Sequence, residues 1–118
     1  FRPMYEINSI AVLMIKEIFK NDKIINKYTR ETNLGKKFLI KNLNKMNLKH
    51  YPTYTNFILV DFKNSHNQKK VFQFLNKKKI LVRNPPNIKA CKNYIRITLG
   101  PTKIMKKLVN SLKKVALN

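Results

Sequence analysis

Apolar residues recur at i, i+3 and i+4 through Ile7, Ile10, Ala11, Met14, Ile15, Ile18 and Phe19, the period of one helical face. Asn21 and Asp22 can cap a fresh start, after which Ile25, Tyr28, Thr32, Leu39, Leu43 and Met46 keep the same spacing. Two helices are therefore predicted to lead the chain. The pattern then changes. "TNFILVDF", positions 55–62, is rich in β-branched and aromatic residues with apolar side chains on both faces, as in a strand that is largely covered. Ser65, with Gln68 three residues on, resembles a capping box opening a short helix that carries Val71, Phe72 and Leu75. "ILVR", positions 80–83, reads as a second strand. "YIRITL", positions 94–99, reads as a third, setting Ile95, Ile97 and Leu99 against Tyr94, Arg96 and Thr98. Gly100-Pro101 opens the last helix, proline being tolerated in a first turn.

That order predicts an α+β fold in one domain over residues 1–118: a small antiparallel or mixed sheet covered on one side by helices. No internal repeat and no glycine- or serine-rich linker interrupts it. One consequence concerns Arg96. If Ile95, Ile97 and Leu99 face the helices, Arg96 projects from the other face with Tyr94 and Thr98, where this chain encodes no covering element.

Charge adds less than its size suggests. The formal net charge of +21 fits a grip on nucleic acid or another polyanion, so a basic nucleic-acid-binding module is the alternative reading. Yet lysine, asparagine and isoleucine together supply 51 of 118 residues, a bias that spreads lysines everywhere instead of gathering them in a patch. In the last helix Lys103, Lys106, Lys107, Lys113 and Lys114 share one face, opposite Ile104, Leu108, Leu112 and Val115. That stripe reads as a solvated outer face, and no specific nucleic-acid partner is expected. Cys91 has no cysteine to pair with, and His50 and His66 lack zinc spacing, so disulfide and metal chemistry drop out. The apolar run Ile10–Ile15 is far below the roughly 18 residues a membrane helix needs. With no signal-peptide order at the N-terminus, a cytoplasmic protein without a membrane partner is expected. A chain of 118 residues is also short for an enzyme that needs a large cofactor pocket.

Of four arginines among 26 basic residues, two sit in "ILVRNPP" and "NYIRITLGP". Arginine offers a planar fork for a carboxylate or phosphate where lysine is a mobile point charge. With "RPMYEINSIA" at the start and "YPTYTNFILV" at 51–60, these four stretches resemble the small C-terminal domain of histidinol-phosphate aminotransferases, fold type I pyridoxal-phosphate enzymes. The resemblance spans essentially the whole chain. It implies transamination of an amino-acid or amino-phosphate substrate with an oxo acid. It implies pyridoxal 5′-phosphate as cofactor, with the Schiff-base lysine and the whole large domain lying outside this chain. It further implies a homodimer when complete, and a small domain that is inactive alone. By the same resemblance Arg96 receives the anionic end of the substrate, Arg83 joins it on a phosphate, and Arg2 reaches toward a neighbouring subunit's active site. Transamination and decarboxylation both occur among such enzymes, and the amino substrate stays open.

Overall fold

The computed structural model describes residues 8–84 and 91–116, and the chain divides into two compact units, Phe1–Arg30 and Glu31–Asn118. Arg2 and Ile7 lie outside the described residues.

In the first unit α1, Ser9–Phe19, is capped by Asn8, whose Oδ1 accepts the Ile10 N–H at 2.8 Å. Its helical spacing predicts a face for burial, yet α1 has no buried residue, and Ile10 and Phe19 are 66% and 67% exposed. The Lys20–Glu17 ion pair, 2.6 Å long, is open to water and contributes on the order of 0–1 kcal/mol. The second helix, α2, runs Asp22–Lys45.

The second unit holds the core. Gly35, Leu39 and Leu43 form the buried stripe of α2, spaced by four. Strands β1, Phe57–Asp61, and β2, Tyr94–Thr98, pair antiparallel, Phe57 opposite Thr98 and Asp61 opposite Tyr94. Both alternate in burial, so Ile58, Val60, Ile95 and Ile97 face inward. Against them pack α3, Ser65–Lys77, through Val71 and Leu75, and α4, Thr102–Ala116, through Met105, Leu108, Val109, Leu112 and Val115. Each fully buried Leu or Ile contributes roughly 1.5–3 kcal/mol of transfer free energy, so this one cluster carries the unit. Among the described residues the fold is the expected α+β arrangement, four helices with a two-stranded antiparallel sheet.

Helices α2 and α3 stop in the same way. Asn47 and Lys79 take φ of 52° and 57°, the left-handed region. Leu48 and Ile80 then return their N–H groups to the carbonyls of Leu43 and Leu75, at 3.0 and 2.9 Å. These are Schellman closures, usually built on glycine. The chain has only two glycines, neither at positive φ. One of them, Gly35, serves a different need: a Cβ there would stand 2.0 Å from the Gly100 carbonyl oxygen. Helix α2 thus lies backbone-on-backbone against the turn that leads from β2 to α4.

Three details differ from the sequence reading. "ILVR" is not a strand: it forms one antiparallel bridge, Arg83 with Arg96, because Ile80 is committed to closing α3 and prolines at 85 and 86 carry no N–H to continue a ladder. The cap of α3 is Asn64, not Ser65; its Oδ1 accepts the Asn67 N–H at 2.8 Å, and Gln68 turns inward instead of back to the cap. In α4 the buried stripe is centred one residue on from the expected phase, so Met105 is buried and Ile104 is 50% exposed. Its carbonyl-accepting first position is Pro101, which takes N–H bonds from Ile104 and Met105 at 2.9 and 3.1 Å.

Candidate functional site

Strand β2 presents Tyr94, Arg96 and Thr98 on the face turned away from the core, as its period-two alternation requires. Leu59 stands directly opposite Arg96 on β1, and on the other edge of β2 stands Arg83. The Arg83 N–H donates to the Arg96 carbonyl at 3.1 Å and the Arg96 N–H to the Arg83 carbonyl at 2.8 Å. Residues that exchange both bonds in an antiparallel pair put their side chains on the same face, with Cα atoms about 5.5 Å apart. The structure therefore brings Arg83 and Arg96 side by side, although 12 residues of chain lie between them.

Each arginine is held differently. Arg96 is half-buried, with its Cζ 4.7 Å from the centroid of the Phe57 ring, a cation–π contact reached diagonally across β1. Its Nε is buried and has no hydrogen-bond partner among the described residues. Arg83 is exposed, and the residue after it is tied down: Asn84 Oδ1 accepts from Nε2 of Gln68, a buried polar residue of α3, at 2.7 Å. Among the described residues no carboxylate lies within ion-pair distance of either guanidinium. The two side chains thus give this face two positive charges with no described carboxylate beside either, so its potential favours an anion.

Next along β2, the Tyr94 hydroxyl meets the Tyr51 hydroxyl at 3.0 Å, with ring centroids 5.6 Å apart. The hydrogen bond to Tyr51 is the main reason the Tyr94 pKa is pushed up to about 12; partial desolvation and the Asp61 carboxylate opposite add to it. The hydroxyl stays neutral and keeps its proton. Sequence periodicity gave no sign of the Phe57 and Tyr51 contacts, since both depend on pairings between segments about 40 residues apart. Arg2 cannot be placed relative to this face because it lies outside the described residues.

A Schiff-base lysine needs a desolvated pocket. Every described lysine is exposed except Lys36, which is half-buried and donates its Nζ to the Thr53 carbonyl with the Tyr54 ring 5.8 Å away. Lys63 and Lys70 rim a cavity of about 220 Å³ floored by Met46, Leu48, Phe62, Val71 and Val115, yet both ammoniums stand in water. The described residues thus do not fit pyridoxal phosphate: they offer neither a desolvated lysine nor a shielded carboxylate for the pyridine nitrogen. They also hold no cluster of three or more His, Cys, Asp or Glu suited to a metal ion, and no helix among them is long and apolar enough to cross a membrane.

Comparison with known proteins converges on one family. The family model for aminotransferase class I and II matches residues 3–112. A histidinol-phosphate aminotransferase of Caldanaerobacter subterraneus is 32% identical over 112 residues, covering 94% of this chain and 31% of that protein. Another, from a Thermoanaerobacter species, is 34% identical over 117 residues, covering 96% and 31%. Among solved structures, the histidinol-phosphate aminotransferase of Clostridium acetobutylicum superposes with a TM-score of 0.80 at 23% identity, over 99% of this chain and 36% of that one. That of Sinorhizobium meliloti, in complex with pyridoxal-5′-phosphate, superposes with a TM-score of 0.72 at 18% identity, over 83% and 27%. The chain spans about a third of the length of the curated relatives it matches.

Proposed function

This chain belongs to the class I and II aminotransferases, and from that membership we propose that its outer sheet face binds the anionic end of an amino substrate in a histidinol-phosphate aminotransferase-like enzyme. The supporting observation is the reciprocal backbone bridge between Arg83 and Arg96, which sets both side chains on one face with no carboxylate among the described residues to neutralise them. A dianionic phosphate offers more acceptors than one fork can satisfy, and a carboxylate is matched by one. Arg96, half-buried, is the primary ligand in this reading, and exposed Arg83 contributes mainly on a phosphate. Arg2 is proposed as a third cation, contributed toward a neighbouring subunit of a homodimer.

The domain's part in the reaction is orientation. Holding a remote, non-reacting group fixes the rest of the substrate, and binding energy gained there is used at the reacting centre. Pyridoxal 5′-phosphate, which carries the amino group between the amino substrate and an oxo acid, is proposed to be held by residues other than 8–84 and 91–116.

The experiment is a titration of the 118-residue chain with ethyl phosphate and with acetate, followed by ¹H–¹⁵N NMR of the arginine side chains. The expected result is a saturable response at Arg96 for both anions and at Arg83 chiefly for ethyl phosphate, lost for both in Arg96→Lys. Responses spread evenly over the lysines, with none at Arg96, would refute it.

A further inference from the structure

Arg96 has to present its fork without spending it. A carboxylate partner would fix the guanidinium but occupy the same in-plane N–H donors that an incoming anion needs. The structure holds Arg96 by other means. Its Cζ lies 4.7 Å from the Phe57 ring centroid, and among the described residues it makes no ion pair and its enclosed Nε no hydrogen bond. A cation–π contact with a ring does not occupy the terminal Nη–H groups as a carboxylate would. Phe57 can do this because it stands opposite Thr98, diagonal to Arg96, within reach of a long side chain. It is also well anchored: Phe57 is half-buried at the first position of β1, and its N–H and carbonyl both engage the Thr55 hydroxyl, at 3.4 and 3.2 Å.

We infer that Phe57 is a positioning residue for anion recognition, meeting Arg96 in a cation–π contact so that the guanidinium is oriented in advance while its terminal Nη donors stay available. The inference rests on the reading of Arg96 as the anion ligand. Leucine at position 57 keeps the bulk and removes the ring; tyrosine keeps the ring. The chain itself is used, with ethyl phosphate as the probe. The ring also leaves a signature of its own, an upfield ring-current shift of the Arg96 side-chain N–H signals in the absence of any anion.

In Phe57→Leu that upfield shift should vanish and the ethyl phosphate dissociation constant should rise about threefold to thirtyfold, the range of a partly desolvated cation–π contact. Phe57→Tyr should keep the shift and bind within about twofold of the wild type. Thermal melting of both variants separates lost positioning from lost folding, and a Phe57→Met variant takes the place of leucine if leucine unfolds the chain. A wild-type response at Arg96 that Phe57→Leu leaves within twofold overturns the role of Phe57 alone. No response at Arg96 in the wild type overturns both this role and the anion site it depends on.

Discussion

Replacing Gly35 with alanine tests the packing that underlies the site, because general rules point the other way. In a solvated helix the change gains about 1 kcal/mol, glycine being the poorer helix former. At Gly35 the new Cβ would stand 2.0 Å from the Gly100 carbonyl oxygen and 3.0 Å from the Pro101 carbonyl carbon. Both are backbone atoms, in the turn between β2 and α4, so no side chain can swing aside. Relief requires moving α2 or the turn by more than an ångström against the buried cluster of Leu39, Leu43, Leu99 and Met105. Overpacking of this kind costs typically 1–3 kcal/mol and at so short a distance more, so the propensity gain is outweighed. The net loss of about 1–2 kcal/mol corresponds to a fall in Tm of roughly 5–15 °C for a domain of this size. Gly100→Ala is the internal control: its Cβ would meet only the Met105 terminal methyl at 3.9 Å, an ordinary contact, and its φ is not positive. Thermal melting followed by circular dichroism at 222 nm reads both variants. A Gly35→Ala protein as stable as the wild type, or more so, would show that α2 does not rest on that turn.

Three other outcomes follow from particular contacts. Asn64→Ala should lose about 1 kcal/mol of stability and Ser65→Ala almost none in denaturant titrations, because Asn64 makes the α3 capping bond; the reverse order would restore Ser65 as the cap. Tyr94 should titrate at about 12, read by absorbance at 295 nm, and Tyr51→Phe should bring it back toward 10. Since the folded pKa is the higher one, the stabilisation is complete below pH 10 and is lost as pH rises from about 10 through 12; melting temperatures that stay flat across that interval would contradict the Tyr51–Tyr94 bond. The exposed lysines of α4 should bind mixed-sequence duplex DNA only at low salt and without regard to which of Lys103, Lys106 or Lys107 is neutralised, as measured by fluorescence anisotropy; submicromolar, stripe-dependent binding at physiological salt would favour a nucleic-acid module.

What could be read from the sequence was what is local. The alternation of "YIRITL" placed Ile95, Ile97 and Leu99 inward and Arg96 outward, because a strand's period needs no knowledge of its partner. Spacing by four placed Leu39 and Leu43 in the core for the same reason. What escaped depended on a second segment or on a choice between near-equals. Asn64 and Ser65 are both good caps, and the path of the preceding turn, with Lys63 at a φ of 71°, decides between them. Met105 and Ile104 are both apolar, and only the packing of α3 against α4 sets which is inward. "ILVR" has the composition of a strand, but the closure of α3 at Ile80 and the prolines beyond leave room for a single bridge. At the site, two arginines could be singled out by residue type; that they are neighbours, and that Phe57 contacts one, came from the pairing of β1, β2 and Arg83. The helical period of α1 was equally clear, yet none of its apolar residues is buried, since periodicity shows which residues share a face and not what covers it.

The most direct test of the account is kinetic, in a catalytically competent protein that carries this chain, comparing Arg96→Lys and Arg83→Lys on a phosphate-bearing and a carboxylate-bearing amino substrate. A hydrogen bond to a charged group is worth about 1.5–3 kcal/mol, so removing the Arg96 fork while keeping its charge should lower kcat/KM by roughly one to two powers of ten on both substrates. Arg83→Lys should cost several-fold on the phosphate and little on the carboxylate, in line with its exposed place beside Arg96. If Arg96→Lys kept full activity on both substrates, the arginine of "YIRITLG" would be a solvated surface cation and the outer face of the sheet would not be the anion site.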